Sequence, residues 1–355
     1  MECRVTSASP DWAAWRSTLA ELTAIPGISG HEDAIARALA DRLAPLADSV
    51  TIDALANVSA RFGPAEGAPH VAVVAHSDTV GFLVKRADPA GFLRVVAVGG
   101  VNVKALPGAA VRVGEHPGVI GVRSQHLAQS GDGAPSLDDL AVEVAPALAA
   151  SIPVTTPITY APQIISLSDT LLASPYLDNR AGCAVLLALA ARLHADPPPC
   201  AVTLIASAQE ETTCAGAYHA LAEVRPDIAL FVDGTVSYDT PETQSRGAVR
   251  LGGGPVLTSF LYTSGLNGWH AHPGLRAHLA AVAAREGIAV QQDAVRGLMS
   301  DARVTLPLAI PSALIGLPMR AKHAPLETVD LRDLAAAVDL LAASIRSPWP
   351  MLTRG

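Results

Sequence analysis

The sequence predicts an α/β fold: a mostly parallel sheet flanked by helices, with a small β domain inserted over residues 82–168. Three observations predict it. Four apolar runs, at residues 71–75, 201–208, 228–232 and 312–317, show no alternation of apolar and polar residues, which marks strands covered on both faces. Ala-rich stretches with helical spacing lie between the later runs, the alternation expected of a parallel sheet. Between about 82 and 168 the helical spacing vanishes, and short Val-rich runs are broken by Asp88-Pro89-Ala90-Gly91, Gly99-Gly100, Pro107-Gly108 and Pro117-Gly118.

The elements follow in order. Trp12, Trp15, Leu19 and Leu22 recur at helical spacing, and that helix should end before Pro26, which disfavours a helical residue in front of it. Ser29-Gly30-His31-Glu32 has the capping-box pattern and opens a second helix with the stripe Ile35, Leu39, Leu43. The run 71–75 then ends at His76-Ser77-Asp78. Past the insert come a helix near 180–193, the strand 201–208, a helix near 214–223 and the strand 228–232. A helix near 274–286, the strand 312–317 and a last helix near 331–345 complete the chain. Residues 1–81 and 169–355 are therefore read as one catalytic domain interrupted by the insert, and no internal repeat is present.

Composition narrows the function. A chain of 355 residues suits one large domain with a smaller one. Half of it is hydrophobic, so a sizeable core is expected. A formal net charge of -8 without any basic block argues against nucleic acid or anionic membranes as partners. The first residues carry Glu2, Arg4, Asp11 and Arg16 with no apolar run between them, and read as neither signal peptide nor anchor. Cys3, Cys183, Cys200 and Cys214 are scattered without CxxC spacing and are expected to be reduced thiols of a cytoplasmic protein.

In open α/β sheets ligands bind beyond the carboxyl ends of the strands, so the residues just past each apolar run carry most weight. The first run leads into His76-Ser77-Asp78, the second into Gln209-Glu210-Glu211, the third into Asp233-Gly234 and the fourth into Arg320-Ala321-Lys322-His323. Asp178, in Tyr176-Leu177-Asp178-Asn179-Arg180, stands where a helix is about to begin. Taken singly, Asp178 reads as a helix cap, Asp233 as a turn former and Glu210-Glu211 as a solvated loop start. Taken together, two His, two Asp and one Glu are the nitrogen and oxygen donors that zinc, cobalt or manganese accept. One bridging carboxylate would leave two further ligands for each of two ions about 3.5–4 Å apart.

Here the sequence resembles the tetrahedral and glutamyl aminopeptidase family of two-metal exopeptidases. The resemblance runs through Ala75-His76-Ser77-Asp78, Leu177-Asp178-Asn179-Arg180-Ala181-Gly182, Gln209-Glu210-Glu211, Val232-Asp233-Gly234 and Arg320-Ala321-Lys322-His323, nearly the whole chain. It implies that His76 and Asp233 hold one metal, that Glu211 and His323 hold the other, and that Asp178 bridges them. It also implies that Asp78 orients His76 from behind and that Glu210 is the general base. The expected reaction is attack of a hydroxide shared by two zinc or cobalt ions on the first peptide bond of a short peptide with a free N-terminus. The resemblance further implies that the insert mediates dimerisation and that dimers build a twelve-subunit shell.

The chain departs from the family pattern at Thr212-Thr213-Cys214, at Ser300-Asp301, where Thr-Asp is common, and at Ala324, where Ser is usual. Trp269-His270-Ala271-His272, His126 and Gly252-Gly253-Gly254-Pro255 superficially suggest further sites; the first is read as a loop or a support behind the site, His126 as structural, and the glycine run as no phosphate loop because it lacks the Lys and helix of one. Some relatives carry cellulase names, so glycoside hydrolysis is the rival enzyme reading, and a non-catalytic scaffold the third. Adjacent Glu210 and Glu211 fit a glycosidase poorly, since its two carboxylates stand about 5–9.5 Å apart across a sugar ring.

Overall fold

The computed structural model describes residues 10–64, 69–88, 90–127, 133, 135–265 and 267–350; Cys3 and the first nine residues of the N-terminal segment lie outside them. Helix α1 (Trp12–Ala24) starts at Asp11, whose Oδ1 accepts the Ala13 and Ala14 N–H groups at 3.0 Å, and it buries Leu19 and Leu22. Helix α2 (Asp33–Leu43) buries Ile35, Leu39 and Leu43 as expected. Its capping box does not form. The Glu32 carboxylate instead accepts from the Gly30 N–H at 2.8 Å and from the distant Gln209 N–H at 3.0 Å, and the Ser29 hydroxyl bonds Thr212 at 2.8 Å. A buried loop with free N–H groups outweighs the local cap, because leaving a buried donor unpaired costs about 1–3 kcal/mol.

Strands β1 (Ser49–Ile52), β2 (Val58–Phe62) and β3 (His70–His76) begin the main sheet. Six strands follow: β4 (Gly81–Ala87), β5 (Phe92–Val98), β6 (Ala110–Val113), β7 (His116–Gly121), β8 (Ala141–Glu143) and, past the single turn α3 (Pro146–Ala149), β9 (Pro157–Tyr160). They close into a barrel in the order β4-β5-β8-β7-β6-β9. Alternate residues such as Phe82, Val84, Val111, Val113, Val142 and Ile158 fill its interior.

Strands β10 (Ile165–Ser166) and β11 (Leu171–Ser174) lead into α4 (Leu177–Ala195), β12 (Ala201–Ser207), α5 (Ala215–Val224) and β13 (Ile228–Val236). Strands β14 (Val256–Tyr262) and β15 (Gly268–His270), helix α6 (Pro273–Glu286), β16 (Gln291–Arg296) and the short α7 (Thr305–Leu308) follow. The chain ends with β17 (Ser312–Met319), β18 (Glu327–Asp330) and α8 (Leu331–Arg346). The main sheet has the order β1-β2-β12-β3-β13-β17-β14-β15, with β16 beside β14, while β10, β11 and β18 form a small antiparallel sheet.

The expectation of a mostly parallel sheet needs correction. The central strands β12, β3, β13 and β17 are parallel, but β1–β2, β2–β12, β14–β17 and β14–β15 pair antiparallel. The flanking strands carry mixed polar and apolar residues, with Thr258-Ser259 interrupting β14, so no unbroken apolar run announced them. In the centre Val71, Val73 and Ala75 pack under α1, α2, α4 and α8, while Ala72 and Val74 pack with α5 and Trp269. Burial of each Val there contributes about 1.5–3 kcal/mol, which explains the unbroken apolar runs. Parallel registration brings their carboxyl ends to one edge, with Ser207 beside His76 and Asp233 beside Gly316.

Candidate metal centre

All the residues expected to bind metal arrive at that edge. His76 is the last residue of β3, Glu210 and Glu211 follow β12, and His323 follows β17. Asp233 lies inside β13 rather than past its end, because the pairing with β17 continues to Val236. It is therefore no turn former. Asp178 stands at the start of α4, but its backbone is non-helical and neither carboxylate oxygen accepts a hydrogen bond, so it is no helix cap. Gly234 lets it approach: a Cβ there would lie 3.0 Å from Asp178 Oδ1.

The carboxylate of Asp178 is central. Its Oδ1 lies 3.4 Å from His76 Nε2, which is also 3.5 Å from Asp233 Oδ1 and 3.8 Å from Glu210 Oε2. Its Oδ2 lies 3.2 Å from His323 Nε2, which is 3.3 Å from Glu211 Oε2. One carboxylate thus stands between two pairs of side chains, His76 with Asp233 and His323 with Glu211. Donor atoms of His76, Asp178 and Glu211 lie within 4.8 Å of one another, a spacing one ion can span.

Both imidazoles turn Nε2 inward. His76 Nδ1 lies 3.1 Å from the Asp78 carbonyl and His323 Nδ1 lies 2.6 Å from the Gly100 carbonyl, at the barrel's β5–β6 connection. A carbonyl only accepts, so each Nδ1 donates to it and each Nε2 is left facing the carboxylates. Asp78 was expected to orient His76 through its carboxylate; that contact is the longer one, 3.5 Å. Its oxygens instead accept the Glu210 and Glu211 N–H groups at 2.9 and 3.0 Å, fixing the loop that carries both glutamates. Glu327 does the same for the other half, accepting the Asp178 and His323 N–H groups at 2.8 and 2.6 Å.

The electrostatics are those of crowded, dry carboxylates. Burial pushes the Glu210 and Glu211 carboxyls up, for Glu210 with Asp233, Glu211 and Asp301 adding to it, so Glu210 is suited to accept a proton. Burial acts against a charged His76, but Glu210, Asp178, Asp233 and Asp78 overcome it and raise its pKa well above the usual value. His323 is likewise pushed up to about 11, Asp178 and Glu211 outweighing its burial. Burial would raise the Asp178 carboxyl, yet Lys322, His323 and His76 hold it well below the carboxylate range.

The sequence reasoning passed over several groups here. Glu32, Glu327 and Asp301 are buried, and Asp301 Oδ2 accepts from Ser207 at 2.6 Å beneath the β12 end. Lys322 points into the cluster, 2.9 Å from Asp178 Oδ2. Ser300-Asp301 and Arg320-Ala321-Lys322-His323 were both visible as motifs, but neither showed that the chain buries these charges.

The other motifs go elsewhere. Trp269 donates to Ser312 at 3.0 Å, His270 packs on Phe260 and His272 precedes α6, none of them at the cluster. His126 lies in a short turn of the barrel segment. Gly252 and Gly254 offer their N–H groups to Asp333 at 2.8 and 2.7 Å, so an internal carboxylate holds that loop. No helix among the described residues is long and apolar enough to cross a membrane.

Comparison with known proteins gives the same direction as this geometry. The lysyl aminopeptidase of Pyrococcus furiosus is 31% identical over 342 residues, covering 92% of this chain and 95% of that protein. An aminopeptidase of the archaeon Desulfurococcus kamchatkensis superimposes with a TM-score of 0.89 at 28% identity, over 96% of this chain and 97% of that one. The TET1 peptidase of Pyrococcus horikoshii, which can assemble into a tetrahedron or a large octahedral shell, superimposes with a TM-score of 0.81 at 25% identity, over 94% and 99%. Residues 56–340 match the family model of the M42 glutamyl aminopeptidases, and the chain belongs to that family.

Proposed function

We propose that this chain removes N-terminal residues from short peptides with two divalent cations, zinc or cobalt, held by His76, Asp178, Glu211, Asp233 and His323. One observation carries the reading: Asp178 Oδ1, Glu211 Oε1 and Asp233 Oδ1 are buried and accept no hydrogen bond, while Asp178 Oδ2 already faces the Lys322 ammonium at 2.9 Å. Buried carboxylate oxygens without donors are costly unless a cation faces them. The donor set of two imidazoles and three carboxylates fits borderline-soft divalent ions.

Cations at this edge would supply Lewis acidity, polarising a peptide carbonyl and acidifying water. The protein's own residues do the rest. Glu210, its basicity raised by burial, takes a proton from the attacking water and returns it to the leaving amine. Asp78 and Glu32 hold the loop of Glu210 through its N–H groups, so the base keeps its place during the transfer. The net negative cluster also suits the α-ammonium of a peptide N-terminus.

The barrel is read as the inserted domain, residues 82–168, that joins copies of this chain into a dimer or a larger shell. Phe92, Val96 and Val119, exposed on its strands, support that reading. The free thiols of Cys183, Cys200 and Cys214 agree with a reducing cytoplasm. Nothing in the geometry of the site favours glycoside hydrolysis, since Glu210 and Glu211 are adjacent on one loop and Glu211 faces His323. The test is Glu210→Gln: metal content should be unchanged while turnover falls about 10²–10⁴-fold. Unchanged turnover would refute the assignment of the base.

A further inference from the structure

Lys322 is the member of the cluster that the two-metal reading does not use. Its Nζ lies 2.9 Å from Asp178 Oδ2 and 3.9 Å from Asp233 Oδ1, and donates to the Gly234 carbonyl at 3.0 Å. Its side chain is only 11% exposed. Ala321 and His323, on either side of it, both have positive φ, +55° and +65°. That backbone turns two consecutive side chains, Lys322 and His323, onto the same carboxylate, which an extended strand would send to opposite faces.

The ammonium stands in for a metal ion: a cation bound to the Asp178 oxygen that faces the Glu211–His323 half-site. We propose that Lys322 is a resident cation that competes with the ion of that half-site, so the chain takes up its second metal ion far more weakly than its first. The inference rests on the two-metal reading above. An ammonium and a divalent ion sharing one carboxylate oxygen repel each other strongly in so dry a site, so the second ion enters only when Lys322 withdraws. The His76–Asp233 half-site is less affected, because Lys322 is farther from Asp233 and makes no contact with His76 that would block Nε2. In the metal-free protein the same ammonium offsets part of the charge of Asp178 and Asp233.

The experiment is a Co²⁺ titration by calorimetry of the full chain, stripped with chelator, as wild type, Lys322→Met and Lys322→Arg. Wild type is expected to bind one ion tightly and a second at least tenfold more weakly. In Lys322→Met the second ion should tighten at least tenfold, with a smaller change in the first, and Lys322→Arg should keep the weak second site. Thermal unfolding adds a readout independent of turnover: stripped Lys322→Met should melt lower than stripped wild type and gain more on saturation with Co²⁺. Should the Met variant not fold when stripped, Lys322→Gln, which retains a donor for Gly234, takes its place with the same expected shifts. Equal affinity of both ions in wild type, or an unchanged second site in the neutral variants, would overturn the role of Lys322 and leave the two-metal reading standing. Absence of Co²⁺ binding by every folded protein would instead overturn the two-metal reading itself, and this inference with it.

Discussion

Asp178 and Asp333 are both buried aspartates against glycine backbone, Gly234 for the first and Gly252 and Gly254 for the second, and they have opposite surroundings. Asp333, in α8, has each oxygen filled by a backbone donor, from Gly252 and Gly254. Asp178 accepts from no backbone N–H, and His76, His323 and Lys322 converge on it instead. Burial raises the Asp333 carboxyl to about 6, with the two N–H groups drawing it back, whereas the cations around Asp178 overcome its burial. A buried carboxylate with its donors in place stabilises a loop; one that faces only cations and other carboxylates is kept for a ligand.

The largest expected difference follows from exchanging each for its amide. Asp178→Asn should lose metal and more than about 10²-fold in kcat/KM, since altering even the residues behind metal ligands costs 10–100-fold. Asp333→Asn should leave metal content and kcat/KM unchanged; equal losses in the two variants would erase the distinction.

Asp78→Asn sharpens it further, because Asp78 has its donors in place yet those donors are the backbone of Glu210 and Glu211. Turnover should fall about 10–100-fold with the fold retained. Full activity in that variant would show that the loop keeps its place without the clamp.

Truncation of the structural carboxylate is a smaller effect. Asp333→Ala leaves the buried Gly254 N–H and the partly buried Gly252 N–H without acceptors and should lower stability by about 1–3 kcal/mol in urea unfolding, with kcat/KM intact. A last difference lies in pH. The folded pKa of Asp333, about 6, stands above its ordinary 3.8, so the fold favours the neutral acid. Its contribution is fully present below pH 3.8 and is lost as pH rises toward 6. Stability of wild type should therefore fall relative to Asp333→Asn across that window, and parallel profiles would contradict the shift.

The same contrast explains what was legible in the sequence. The strands covered on both faces were plain from their apolar runs, and with them the edge to which His76, Glu210, Glu211 and His323 belong. Strands β1, β2, β14, β15 and β16 were not, because polar residues interrupt them: β2 is buried on one face, β1 is mostly exposed, and Thr258-Ser259 breaks β14. Glu32 satisfied a local capping pattern but is engaged by Gln209, a contact across 177 positions that no local rule contains. Lys322 stood in a quoted motif, yet a lysine beside a histidine gives no sign of burial until β13 and β17 pair and bring Gly234 against it. Asp233 was placed past a strand that in fact continues, since pairing partners rather than hydropathy end a central strand.

The central claim, metal-dependent release of N-terminal residues, is tested most directly by a panel of aminoacyl p-nitroanilides. The chain would be stripped of metal and then restored with zinc, cobalt or manganese, with a β-glucan assay in parallel. Chromophore release that disappears on stripping and returns with metal is the predicted result. Silence on every aminoacyl substrate at full metal occupancy, or glucan cleavage that ignores the metal, would contradict it.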